Sequence, residues 1–246
     1  MIFGLEFPTV DNLVVWPGTF NKIGLIYAIA AAVPIIWFLV ARRQTGLIPT
    51  GARNGAEASI DFVERQIVMP TIGPDGMRYV PFLLSLFWFI AISNLFEVIP
   101  LFHMPGNARM AGPLTLALIV YVTWIFVGVK NHGMGYFKEL LFPPGVPKAL
   151  YILVTPIEFL SNFIIRPFSH AVRLFANMLA GHILIVTFSV LCIALFVAGP
   201  LIIVNFLTFP MLVGLVAFEI GVSFLQAFVF TILTGVYIGG ALHPAH

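Results

Sequence analysis

Residues 151–198 read YILVTPIEFLSNFIIRPFSHAVRLFANMLAGHILIVTFSVLCIALFVA, and residues 201–242 read LIIVNFLTFPMLVGLVAFEIGVSFLQAFVFTILTGVYIGGAL, with only Gly199-Pro200 between them. A helix of about 45 residues is ~68 Å long at ~1.5 Å rise per residue. The hydrocarbon core of a bilayer is only ~30 Å thick. Each run must therefore break into two spans or lie strongly oblique. Neither holds a polar loop long enough to reverse the chain. Two long, oblique helices forming a hairpin are expected, with Pro156, Pro167 and Pro210 as kink points.

The rest of the composition agrees. The chain has 246 residues, 60% hydrophobic and 9% charged, with mean hydropathy +1.05. Soluble domains carry about 25% charged residues. An all-α polytopic membrane protein in a single membrane domain follows. A net charge of +2 leaves no electrostatic footprint for nucleic acid. The single cysteine, Cys192, lies in an apolar segment and reads as a packed small hydrophobe. The opening MIFGLEFPTVDNLVVWPG has no cationic region ahead of an apolar core, so no cleavable signal peptide is expected.

Upstream, a first span covers residues 23–41 and ends in Arg42, Arg43 and Arg53. Residues 54–72 form an amphipathic helix instead. Glu57, Asp61 and Glu64 share one face, while Ile60, Val63 and Ile67 share another. Asn54 and Glu57 have the spacing of a capping box. This helix lies on the cytoplasmic membrane surface or docks another subunit. Further spans cover residues 80–101 and 114–129. Eight cations (Arg42, Arg43, Arg53, Arg65, Arg78, Lys130, Lys138, Lys148) fall on one side, and two (Lys22, Arg109) on the other. That bias places the N-terminus outside and, after five crossings, the C-terminus inside.

Polar residues within the long runs are patterned. Glu158, Asn162, Arg166, His170, Arg173 and Asn177 recur every three or four positions, a stripe along one flank. Glu219, Ser223 and Gln226 share a face of the second run. Facing residues of an antiparallel hairpin have a constant index sum, here near 400 for a turn at Gly199-Pro200. His182 with Glu219, Asn177 with Ser223, and Arg173 with Gln226 all satisfy it.

Burying the Arg173 guanidinium costs from ~3 kcal/mol on insertion scales to ~10 kcal/mol or more in simulations of isolated helices. Arginine keeps its proton, so it is a poor carrier but a durable fixed charge. His182 and Glu219 titrate and suit a relay on the outer side, with Asn94 and Glu97 near the outer end of the second span. Glu158, with Asn162 and His170, approaches Arg173 from the inner side. An untitratable cation between two sets of acid/base groups suggests two half-channels. Arg166, near a kink and a membrane end, reads as structural or snorkelling. His103, His132, His243 and His246 receive no role. His182 and Glu219 are too few for a metal site, and Gly235-x-x-x-Gly239 is a helix-packing pattern.

RLFANMLAGH (Arg173–His182), SNLFEVIP (Ser93–Pro100), PIEF (Pro156–Phe159) and LQAFVFTILTGVYI (Leu225–Ile238) resemble subunit a of the F-type ATP synthases, over most of the chain. The resemblance implies the stationary proton-channel subunit of a bacterial inner-membrane complex. Its partners would be a rotating ring of c subunits, each with a membrane carboxylate, the peripheral-stalk b subunits and the rest of the synthase. Arg173 would match the essential arginine facing that carboxylate, and Asn177 and Gln226 its polar neighbours. His182, Glu219, Asn94, Glu97 and Ser223 would line the outer path, and Glu158, Asn162 and His170 the inner one. His first and Glu second resembles the order in mitochondria and related bacteria, and favours protons over sodium. There is no GxxxxGK[ST] loop, so no nucleotide or other cofactor is expected and ATP chemistry would belong to other subunits. Two other readings remain: a secondary transporter using Arg173 to bind an anion, for which no internal repeat is found, and a structural membrane anchor.

Overall fold

The computed structural model of the chain describes residues 15–16, 20–43, 50–99, 105–142, 150–197 and 202–243. The expected turn at Gly199-Pro200, the loop residues 100–104 and the terminal residues 244–246 lie outside them. A two-residue antiparallel ladder, β1 (Val15–Trp16) with β2 (Phe20–Asn21), leads into α1 (Lys22–Arg42). Then come α2 (Ala52–Val63), a π-helical turn (Glu64–Val68) and the short α3 (Met69–Thr71). A 3₁₀ turn (Pro74–Tyr79) enters α4 (Val80–Leu95), and a second 3₁₀ turn (Gly106–Ala108) precedes α5 (Ala111–His132) and α6 (Gly135–Leu141). The chain ends in α7 (Tyr151–Leu160), a π turn (Ser161–Ile165), α8 (Arg166–Val197) and α9 (Ile202–Leu242). Five of the described stretches are long and apolar enough to cross a membrane; the last two run for 46 and 40 residues. This is a polytopic all-α protein whose final helices form a long hairpin.

The capping box expected at Asn54 is not formed. The helix starts two residues earlier, at Ala52, directly after Gly51 at φ 54°. That backbone conformation suits glycine and sets the start without a side-chain cap, leaving Asn54 exposed inside the first turn. Glu57 pairs instead with Arg53, 2.7 Å away. Trp37 of α1 donates to the Ala52 carbonyl at 3.1 Å, so α2 is hung on the end of the first span. Of the apolar face, Val63 and Ile67 are fully buried and Ile60 is exposed.

Both π turns have one cause. In each, the residue after the turn donates to the carbonyl five residues back, Met69 to Glu64 and Arg166 to Ser161. In each, a proline follows, Pro70 or Pro167. Proline lacks an N–H and its ring clashes with the carbonyl four residues back. Admitting one extra residue to the turn relieves that clash and keeps the chain helical. The extra residue also breaks the common 3.6 phase. The π turn therefore sets Glu158 and Asn162 out of register with Arg166 to Asn177, while within α8 itself His170 is buried and Arg173, about 60° round the helix from it, is exposed.

The core gathers Val63, Ile67 and Val68 with Leu83, Phe87 and Ile90 of α4, Val120 and Trp124 of α5, Leu174 and Met178 of α8, and Phe230 and Ile238 of α9. The Gly235/Gly239 pattern packs on the end of the amphipathic segment, not on another span. A methyl at Gly235 would sit 2.5 Å from Thr71 Oγ1, and one at Gly239 would collide with the Thr71 carbonyl. His132 donates to the Leu242 carbonyl at 3.3 Å and His243 lies 3.3 Å from Asp75, holding the same end of α9. Gly239→Ala should destabilise this junction by about 1–3 kcal/mol, the usual cost of overpacking. The check is the temperature at which the subunit leaves the purified assembly; an unchanged value would mean that the Thr71 backbone yields freely.

Candidate functional site in the membrane hairpin

The hairpin register is fixed by four contacts. The Glu219 carboxyl lies against Gly181. The His170 and Phe230 rings are 3.8 Å apart, Asn177 Nδ2 donates to Gln226 Oε1 at 3.3 Å, and the Arg166 guanidinium lies 5.8 Å over Tyr237. Index sums of 400 to 403 follow, so the antiparallel alignment matches the one expected around Gly199-Pro200. The individual partners shift. Asn177 meets Gln226 instead of Ser223, because helical side chains lean toward their own N-termini and cover a spot about one position before their own Cα.

At one end of the bundle, α1, α4 with the turn after it, the second 3₁₀ turn, α8 and α9 bring polar groups together. Glu97, in the turn after α4, is 2% exposed, and its Oε1 lies 3.8 Å from His182 Nδ1 on α8. Glu219, Ser223 and Gln226 form one buried face of α9. Asn94 is fully buried on α4 and accepts at 2.7 Å from Asn107, which also donates to Ser93 Oγ at 2.9 Å. Tyr27 of α1 donates to the Gly106 carbonyl at 2.7 Å and lies 3.2 Å from Asn107 Oδ1. Within this cluster Asn94 Nδ2, both Glu97 oxygens, Glu219 Oε1, Ser223 Oγ and Gln226 Nε2 are buried with no protein hydrogen-bond partner. Each such group costs about 1–3 kcal/mol unless water or a proton-bearing group meets it. Their concentration in one place makes this the most hydrophilic part of the buried packing among the described residues.

The second group lies ~22 Å along the helix from Arg173 at ~1.5 Å per residue. Asn162 Nδ2 donates to Glu158 Oε2 at 3.0 Å and to the Leu140 carbonyl of α6 at 3.2 Å. Asn162 Oδ1 and the nearby Thr155 Oγ1 are buried without partners. His170 does not join this pair; it packs between Phe230 and Tyr237. Beside these elements, burial in α6 pushes the Tyr136 phenol above its ordinary value, and the Arg166 charge works against that rise.

Arg173 stands between the two groups. It is exposed and makes no ion pair or side-chain hydrogen bond among the described residues. Its neighbours Ala171 and Leu174 are buried, so α8 turns Arg173 outward from the bundle. A fixed cation on a face open to the membrane is placed to meet a group on another molecule.

The profile of the family described as ATP synthase A chain matches residues 24–239, almost the whole chain and both polar groups. The chain belongs to the ATP synthase subunit a family. It is 42% identical to ATP synthase subunit a of Frankia alni over 231 residues, which is 92% of this chain and 79% of that one. The same-named protein of Pseudarthrobacter chlorophenolicus is 40% identical over 91% of this chain and 85% of its own length. That of Maricaulis maris is 38% identical over 92% and 90%. For this subunit a family member, sequence reasoning had passed over Tyr27, Ser93, Asn107, Thr155 and Gly181. Gly181 was within reach, since a residue facing Glu219 must have an index near 181. Asn107 lies between the spans expected at 80–101 and 114–129, where no helical periodicity points to it, and nothing in the local pattern singles out Tyr27.

Proposed function

We propose that this protein is the stationary proton-translocating subunit of an F-type ATP synthase. It supplies two half-channels to a rotating ring of carboxylate-bearing c subunits and is held by the peripheral-stalk b subunits. The observation that carries the reading is the exposed Arg173 between two separate buried polar groups. During synthesis a proton enters through Asn94, Glu97, His182, Glu219 and Ser223 and neutralises a ring carboxylate. That carboxylate, now uncharged, turns through lipid at little cost. It releases its proton to the path at Glu158 and Asn162, with His170 between that pair and Arg173 along the helix. Arg173, which cannot give up its proton, attracts the ionised carboxylate and separates the paths. Asn177 and Gln226, bonded to each other, are its polar neighbours. We place the Glu97 group on the outer side of a bacterial inner membrane, from the cation bias of the loops. Membership of the family favours this reading over the anion transporter and the anchor.

Thiol accessibility in sealed vesicles of both orientations tests it. In a Cys192→Ser background, Ser223→Cys should react with a membrane-impermeant silver or thiol reagent from the outer side only. Asn162→Cys should react from the inner side only. In each case proton flux should fall in step with labelling. Labelling of both from one side would overturn the two half-channels.

A further inference from the structure

A crevice of about 980 Å³ opens between α1, the amphipathic segment, α4 and the Leu116–Ile119 turn of α5, and no described residue of α8 lines it. This is as large as ligand sites commonly become. Its walls are apolar along most of their length, from Ala30 and Phe89 at the deep end to Phe38 and Leu84. Two charged residues, Arg42 and Glu64, line the same crevice. Neither makes an ion pair, with the other or with any other described residue.

The dimensions choose the occupant. Ala30 and Arg42 lie ~18 Å apart along α1 at ~1.5 Å per residue. One leaflet of a ~30 Å hydrocarbon core is about half that thickness. The crevice is therefore about one leaflet deep, with its charges at headgroup level. A membrane-crossing helix of another subunit would need a groove of about twice that depth. The two charges choose the headgroup. A guanidinium suits a phosphodiester, which it can bind through two parallel N–H donors. A carboxylate lining the same crevice accepts from an N–H donor and repels a second anion.

We propose that this crevice binds one phospholipid with an ethanolamine headgroup. Its acyl chain lies between α1 and α4, its phosphate on Arg42 and its ammonium on Glu64. A choline headgroup has no N–H to offer Glu64 and fits less well. The site is independent of the proton path and does not rest on the proposed function.

The test uses the assembled complex in vesicles containing phosphatidylethanolamine that carries a photoactivatable group in its acyl chain. Cross-linked peptides are then mapped by mass spectrometry. Labelling is expected on Ala30–Arg42 and on the α4 peptide from Val80 to Phe89, displaced by unlabelled phosphatidylethanolamine and far less by phosphatidylcholine. Arg42→Gln and Glu64→Gln should each lower labelling roughly tenfold, the effect of one charge-assisted hydrogen bond. Glu64→Gln leaves the cationic flank of α1 untouched and so tests the headgroup without disturbing insertion. No labelling of these segments, equal displacement by phosphatidylcholine, or indifference to both substitutions would overturn the proposal. So would cross-linking of Phe38→Cys to a membrane helix of another subunit.

Discussion

Arg173→Ala is expected to abolish ATP-driven proton pumping in vesicles carrying the intact complex, a fall of ~100-fold or more, as losing one preorganised charge at a reacting centre commonly costs. Passive proton leakage through the membrane sector should rise in the same vesicles, because the cation proposed to separate the two paths is gone. The structure makes a folding explanation unattractive. Arg173 is exposed and contributes no ion pair within the described chain, so its removal leaves no buried partner behind. Arg173→Lys keeps a charge but loses the rigid fork, and the ammonium can give up its proton when desolvated. It should therefore fall between wild type and alanine. Subunit content must be measured on the same vesicles. Normal pumping by Arg173→Ala with normal content would make the arginine structural and remove the basis of the proposed mechanism.

Gly181→Ala should be nearly as damaging, by a different route. The added methyl would occupy the place of the Glu219 carboxyl. That carboxyl would have to move within a packed cluster that also holds Glu97, His182 and Ser223. Displacement of a working group by about 1 Å can cost ~100-fold, so pumping should drop at least tenfold by the same argument. Glu219→Asp, shorter by one methylene, should recover part of that loss when combined with Gly181→Ala, although alone it lowers pumping. A double mutant no better than Gly181→Ala would show that the damage lies in helix packing and not in the placing of the carboxyl. Unimpaired pumping by Gly181→Ala would show that Glu219 need not stand where it does.

The hairpin was legible because it rests on length: an apolar run far longer than the bilayer is thick has few options. Its register was legible because the polar residues of both runs share one index sum. What could not be read were features set by single backbone events. The π turns before Met69-Pro70 and Arg166-Pro167 shift the helical phase, so Glu158 and Asn162 fall out of register with the polar residues of α8, and packing against Phe230 and Tyr237 then buries His170 while Arg173 stays exposed. The Asn54 cap failed for a similar local reason, since Gly51 starts the helix first. The extension of the polar cluster to Asn107 and Tyr27 depends on how α1 and a loop fold over α4, which no periodicity encodes.

The outward-facing Arg173 also bears on how the protein is made. On its own in a bilayer, this chain presents a permanent cation to hydrocarbon on α8, at a cost of ~3 kcal/mol or more. Until the proposed carboxylate-bearing surface covers that face, the membrane must thin, or water must reach in, to solvate the guanidinium. The unpartnered subunit is thus the strained form and the assembled one the relaxed form. The same charge that we propose guards the proton path would expose an orphan copy to membrane quality control.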